Sequence, residues 1–376
     1  MPKTERKMQK FKEGSISFRI LSFIAETGET SYQALNLLMP ETSDKVIHNK
    51  VNDLARDKYV VVSGKGRDRH TSIRLSSPKG LEWLKSYDAE TYERYMTVTS
   101  NHTFASTSKN SSNIANLLRR HRIASVTAIM KSVGVETGLD NQPLSLKNPT
   151  NILDSKNPKF YTSTEMKNID VEQRHKTEFT RFVGCLFFEN NAYMIYNIAS
   201  GSLKWSEQGE QKAKFLVHDV IATNSNIKNW NIGAIIFGDS LEYIFNSLED
   251  TENHRHEFLS FFNVMQNVYA LPLDNNGRIM LQQFLISDFH NKINIRLFGR
   301  KLLEDSAEIK DCDCDIVDGN RRVLGFLTGN IARLKRFTDF AEVQSKTARE
   351  FEIICYKFQE IELKKYCPKS MSLLIV

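Results

Sequence analysis

The chain lacks any stretch of the roughly 18 consecutive apolar residues that a membrane-spanning helix needs, so no membrane partner is expected. Its first residues, MPKTERKMQK, hold no apolar segment of the kind a secretory signal carries. Cysteines are few: Cys185, Cys312, Cys314, Cys355 and Cys367 are odd in number and scattered, unlike a disulfide framework. These absences point to a protein of the reducing cytoplasm. There is no G-x-x-x-x-G-K-[ST] loop, which speaks against an ATP-driven motor, and no Ser or Cys nucleophile elbow. Internal repeats and low-complexity tracts are absent too. His254-Arg255-His256 places its two histidines on different sides of a helix, and Asp311-Cys312-Asp313-Cys314-Asp315 offers only two thiols beside acids that suit a surface turn. Neither completes a metal site, so neither a metal nor a cofactor is expected.

What remains is long enough for two or three domains: 376 residues, 40% of them hydrophobic. The net charge of +6 is modest and unevenly placed. Between Lys45 and Arg74 stand eight cations (Lys45, Lys50, Arg56, Lys58, Lys65, Arg67, Arg69, Arg74) against three aspartates (Asp53, Asp57, Asp68). That local excess of five is nearly the whole surplus.

Residues 1–14 read as a basic tail. Apolar spacing at Ile16, Ile20, Leu21, Phe23 and Ile24 predicts a first helix that stops at Thr27-Gly28. A short second helix uses Tyr32, Leu35, Leu37 and Leu38 and must end before Pro40. The third, roughly Ser43 to Lys58, is predicted to pack through Val46, Ile47, Val51, Leu54 and Ala55. Its polar side carries Lys45, His48, Asn49, Lys50 and Asn52. Tyr59-Val60-Val61-Val62 and Thr71-Ser72-Ile73-Arg74-Leu75 form a hairpin around a basic tip with Lys65, Arg67 and Arg69. One further helix follows Pro78, with Leu81, Trp83, Leu84, Tyr87, Tyr92 and Tyr95 on its apolar side.

Three helices followed by a basic hairpin describe a winged helix-turn-helix. In that module the third helix enters the major groove of double-stranded DNA and the wing lies along an adjacent groove or backbone. His48, Asn49 and Asn52 can offer hydrogen bonds to base edges, while Lys45, Lys50, Lys65, Arg67 and Arg69 can neutralise phosphates. The same module serves elsewhere as a protein-docking unit, and that reading stays open.

The second half changes character. A hairpin over 182–198, a helix from Glu207 to Ile221, an apolar strand over 233–238, helices over 241–248 and 257–264, and strands over 293–298 and 351–358 alternate in the manner of an α/β or α+β domain. The organisation expected is α+β: tail 1–14, winged helix-turn-helix 15–96, a linker with one helix 97–159, and a larger α/β domain with a mixed sheet, 160–376. A metal-dependent nuclease is the rival from another class. It needs acids on neighbouring strands, and only Glu189 in the hairpin turn and Glu165 with Lys167 upstream offer themselves.

The winged helix of 15–85, the linker with His102 leading to Arg120-His121-Arg122, and the following α/β domain resemble the replication-relaxation family of plasmids and integrative elements in Gram-positive bacteria. Residues 15–85 are equally similar to MarR-like and PadR-like regulators, which leave the remaining residues, about 280, without an account. The resemblance implies a restriction-endonuclease-like second domain with a Glu-x-Asp element on a strand. Asn197 and Ala199 occupy those two positions here, so the resemblance implies a domain without its metal site. The function expected is recognition of DNA in a mobile element, regulating transcription, replication or transfer, with no catalytic residue. The second domain is expected to bind a replication or relaxase protein or to pair two copies into a homodimer.

Overall fold

The computed structural model describes residues 10–64, 71–99, 111–169, 182–201, 207–249, 264–286, 292, 295, 312–344 and 348–376. It is a mixed α and β chain that divides into two compact units, Met1–Asn141 and Gln142–Val376.

In the first unit each early helix is bounded by the residues its sequence supplies. Helix α1 (Ile16–Thr27) begins where the Ser15 hydroxyl accepts from the Phe18 N–H, and it ends at Gly28, whose φ of 76° lets its N–H reach the Ile24 carbonyl. Helix α2 (Tyr32–Leu38) is capped by Ser31, which accepts from the Ala34 N–H at 3.2 Å. Helix α3 (Asp44–Arg56) carries an acid in its first turn and a base in its last, the arrangement its dipole favours. The chain then turns through Lys58, at φ 64°, into β1 (Val60–Ser63), which pairs antiparallel with β2 (Ser72–Leu75). Thr30, between α1 and α2, exchanges both backbone hydrogen bonds with Ile73 at 2.9 Å, so the hairpin is pinned to the helices.

The helix expected to run from Pro78 past Tyr95 is two helices, α4 (Lys79–Tyr87) and α5 (Ala89–Thr99). Asp88 breaks it. Its backbone is extended and its carboxylate accepts from the N–H groups of Glu90 and Thr91 at 3.0 Å, which starts a new helix. Helix α6 (Ser111–Ser132), expected inside a linker, is instead part of this unit. It packs along α2, and Ala124 and Ala128 join Ile20, Phe23, Leu35, Ile47, Val51, Leu54, Ile73 and Trp83 in one core. A short strand, β3 (Glu136–Thr137), follows.

The second unit holds two mixed sheets. In the larger, β4 (Lys159–Thr162), β5 (Phe182–Phe188), β6 (Asn191–Ala199), β7 (Asn231–Gly238) and β8 (Val268–Pro272) lie side by side in that order. The first three are antiparallel and the last three parallel. Helix α7 (Ser163–Asn168) follows β4. The β5–β6 turn is made by Glu189 and Asn190, at φ 47° and 61°, the left-handed pair that a two-residue hairpin turn of type I′ demands. Parallel neighbours need long crossovers. Helix α8 (Glu207–Asn224) supplies one between β6 and β7, and α9 (Leu241–Glu249) follows β7. On β6 the Tyr196 hydroxyl donates to buried Glu210 of α8 at 2.6 Å, satisfying both groups inside the core. Helix α10 (Asn275–Phe284) follows β8, capped by Asp274.

The smaller sheet runs β12-β11-β10-β9, built from β9 (Ile316–Asp318), β10 (Arg321–Gly325), β11 (Glu350–Cys355) and β12 (Ser372–Ile375). Only the β9–β10 pair is antiparallel. Helices α11 (Ile331–Val343) and α12 (Glu360–Tyr366) make its crossovers. Leu216, Ile236, Phe245, Phe326, Phe337, Ile353 and Leu363 share one core across both sheets. The segments 257–264 and 293–298 lie almost wholly outside the described residues.

Candidate nucleic-acid interface

Helix α3 is sharply two-faced. Ile47, Val51 and Leu54 are buried at i, i+4 and i+7, which anchors one side in the core. Opposite them Lys45, Asn49, Asn52 and Arg56 are all exposed, spaced by four, three and four residues, so their side chains form one stripe along the solvent side. Lys45, Asn49 and Asn52 thus lie where the sequence suggested.

His48 is half-buried, and its imidazole stacks on Tyr32 of α2, ring centroids 3.8 Å apart and planes 12° from parallel. The stack fixes α2 against the flank of α3. Lys50 is also half-buried and stands 3.9 Å from the Asp53 carboxylate. Asp53 meanwhile accepts from Arg56 at 2.8 Å. Both contacts are between partly exposed groups, so they orient the cations at little energetic cost to releasing them. Lys65, Arg67 and Arg69 lie outside the described residues.

Two residues of this face were not singled out from the sequence. Val46, read as a packing residue, is 39% exposed beside Lys45. One residue before buried Ile47, Val46 is turned about 100° around the helix, away from the core that Ile47 enters. Arg56 completes the stripe, and stepping 3.6 residues at a time from Lys45 would have found it.

The basic run on α6 has a different fate. Arg120 donates from Nε to Glu29 at 2.5 Å, and Glu29, only 3% exposed, also accepts from the Ser72 hydroxyl of β2. His121 is buried. About three turns further on, Lys131 pairs with Glu26 and Asp140, each at 3.0 Å. These cations hold α6 to the start of the chain. They are structural.

In the second unit Asn197 is buried near the end of β6, where its Oδ1 accepts from the Ala199 N–H at 3.0 Å, and Ala199 takes a φ of 53°. Glu165 is occupied as the cap partner of α7, accepting from both the backbone and the hydroxyl of Thr162 at 2.8 Å. Glu189 sits in the exposed β5–β6 turn. Among the described residues no three or more His, Cys, Asp or Glu side chains are arranged to hold a metal ion. His254 and His256 lie outside the described residues. Nor is any helix among the described residues long and apolar enough to cross a membrane.

No family model, no curated protein and no solved structure matches the chain.

Proposed function

We propose that the first unit is a winged helix-turn-helix that binds double-stranded DNA, with α3 in the major groove, α2 bracing it and the β1–β2 hairpin as the wing. The observation that carries this reading is the stripe of Lys45, Asn49, Asn52 and Arg56 along the exposed side of a helix whose opposite side is locked in the core. An asparagine amide matches adenine in the major groove, where N6 donates and N7 accepts, so Asn49 and Asn52 are the base readers. Lys45 and Arg56 meet phosphates at the two ends of the helix and Lys50 at its flank, and Lys65, Arg67 and Arg69 bring the same charge to the wing. His48 holds the brace through its stack on Tyr32 and adds to the reading edge. The His48 stack favours a preorganised reading helix, because ordering it on contact would cost affinity.

In the setting that the resemblance to the replication-relaxation family implies, the protein belongs to a mobile element and controls transcription, replication or transfer from a site in that element's DNA. The second unit then binds a replication or relaxase protein or pairs two copies, and with two copies the DNA site is two-fold related. Selection from a random duplex library tests the reading. The outcome expected is a recovered motif bound specifically by wild type and lost in Asn49→Ala/Asn52→Ala, with plasmid left uncut when Mg²⁺ is added. Recovery of no motif, or binding unchanged in the double variant, overturns it.

A further inference from the structure

Cys312 and Cys314 lie at the entrance to β9, and their sulfurs are 2.9 Å apart and share one hydrogen bond. A covalent disulfide is about 2.05 Å long, so the pair stands within an ångström of bonding distance without being bonded. Two residues separated by one other do not ordinarily meet in this way: in a strand their side chains leave the same face roughly 7 Å apart. The chain brings them together by putting Asp313 in the left-handed region, φ 55°, where a non-glycine residue needs outside support.

That support is present and specific. Arg333 of α11 is partly buried, with 16% of its side chain exposed, and its Nε donates to the Asp313 carboxylate at 3.0 Å. Its Nη2 donates both to the Asp313 carbonyl at 3.0 Å and to the Asp315 carboxylate at 2.8 Å. Arg336 donates to the other Asp313 oxygen at 2.5 Å. The remaining Asp315 oxygen accepts from the Gly325 N–H of β10 at 2.6 Å. Two arginines and a sheet amide therefore clamp the two acids that flank Cys314, and the clamp sets the thiol separation.

We propose that Cys312 and Cys314 are a hydroperoxide-reactive dithiol that closes to an internal disulfide within the folded protein. Both sulfurs are covered, at 1% exposure, so the oxidant has to be small, as hydrogen peroxide is. The Cys312 thiolate attacks one peroxide oxygen and the O–O bond breaks. Hydroxide leaves, and with a proton becomes water, while Cys312 becomes a sulfenic acid. The Cys314 sulfur, giving up its proton, then attacks the Cys312 sulfur; the S–O bond breaks and a second water departs. The two thiols lose two electrons and the peroxide gains them. Cys312 is the attacking group because the hydrogen bond it shares with Cys314, and the nearby Arg322 guanidinium, favour its thiolate over the opposing effect of burial and bring it below the ordinary thiol range. Cys314 is pushed the other way by the same hydrogen bond and by burial. Burial also raises the thiols of Cys355, to about 11, and Cys367, to about 12, and it raises Cys185, so these three are poor competitors.

Reduced full-length protein treated with hydrogen peroxide at neutral pH, then alkylated and weighed intact, tests the proposal. The result expected is loss of two hydrogens, mapped to one peptide containing both Cys312 and Cys314, at a rate about ten-fold above that of the urea-unfolded chain. In Cys314→Ser the reaction stops at a sulfenic acid that a 1,3-dione probe captures on Cys312, and the Cys185→Ala/Cys355→Ala/Cys367→Ala variant closes as wild type does. A disulfide that forms only after unfolding, or one that maps to Cys355 and Cys367, overturns the proposal. So does a folded protein that keeps all five thiols.

Discussion

Helices α3 and α6 are both cation-bearing and both belong to the first unit, yet they put their charge to opposite uses. On α3 Lys45 and Arg56 stand along an exposed stripe, and Lys50 and Arg56 pair with partly exposed aspartates in or just after the same helix. On α6 Arg120 reaches inward to a buried Glu29, which a serine of β2 also contacts. A run of basic residues is therefore no footprint by itself. What separates a cation left at the surface from a structural one is whether the acid it meets is buried with it.

That contrast predicts a clean division between stability and binding. The largest effect belongs to Arg120→Met: it leaves Glu29 charged and buried without its guanidinium, and breaking such a pair costs about 3–5 kcal/mol. Urea denaturation should register the loss. An unchanged midpoint would mean that α6 is not held by this contact.

Next comes Asn49→Ala on the exposed stripe of α3. Folding stability should move by less than about 0.5 kcal/mol, while affinity for the selected site falls by about 1–3 kcal/mol, some five- to 150-fold, with non-specific binding retained. A loss of stability without a loss of specificity would reverse the assignment of the two helices.

A smaller effect is expected at Asp88, which starts α5. Asp88→Ala should cost about 1 kcal/mol through the lost cap. Its hydrogen bonds from Thr91 hold the Asp88 carboxyl below its ordinary value. A depressed carboxyl contributes stability above its unfolded value and loses it as pH falls through the folded one, so the difference between wild type and Asp88→Ala should shrink in acid. Thermal melts at neutral and acid pH check this. Smallest of all is Lys45→Ala, which should weaken binding to all sequences alike and lower the slope of log affinity against log salt by about one.

Much of the first unit was legible because short-range signals agree there. Ser15, Ser31 and Ser43 precede helical apolar spacing, Gly28 and Pro40 end it, and β-branched runs flank the hairpin. Val46 was misread because valine in an amphipathic helix is usually inside, and spacing alone does not say which edge of the apolar face it occupies. The same ambiguity hid the break at Asp88, where an aspartate in a helical pattern was also a cap for what followed. Helix α6 looked like part of a linker because the serine- and asparagine-rich stretch before it resembles a spacer, whereas its alanines are what let it lie close against α2.

The second unit was legible only where strands are long and apolar. Strands β5, β6 and β7 are buried along nearly their whole length and announce themselves as continuous runs. Strand β8 is five residues ending in Pro272, too short to tell from a loop. Helix α11 was obscured by Arg333, Lys335 and Arg336. Arg333 is drawn partly inside, where Asp313 and Asp315, some twenty residues earlier, meet it. No local pattern carries that pairing.

The most direct test of the central claim is the affinity of full-length protein for its selected duplex across a salt series, for wild type and for Lys45→Ala/Asn49→Ala/Asn52→Ala. If α3 reads DNA, wild type binds specifically with an affinity that falls steeply as salt rises, and the variant folds as well as wild type but loses the preference for that site. Equal affinity of the two proteins, with the same salt dependence, would contradict the assignment of this face to DNA.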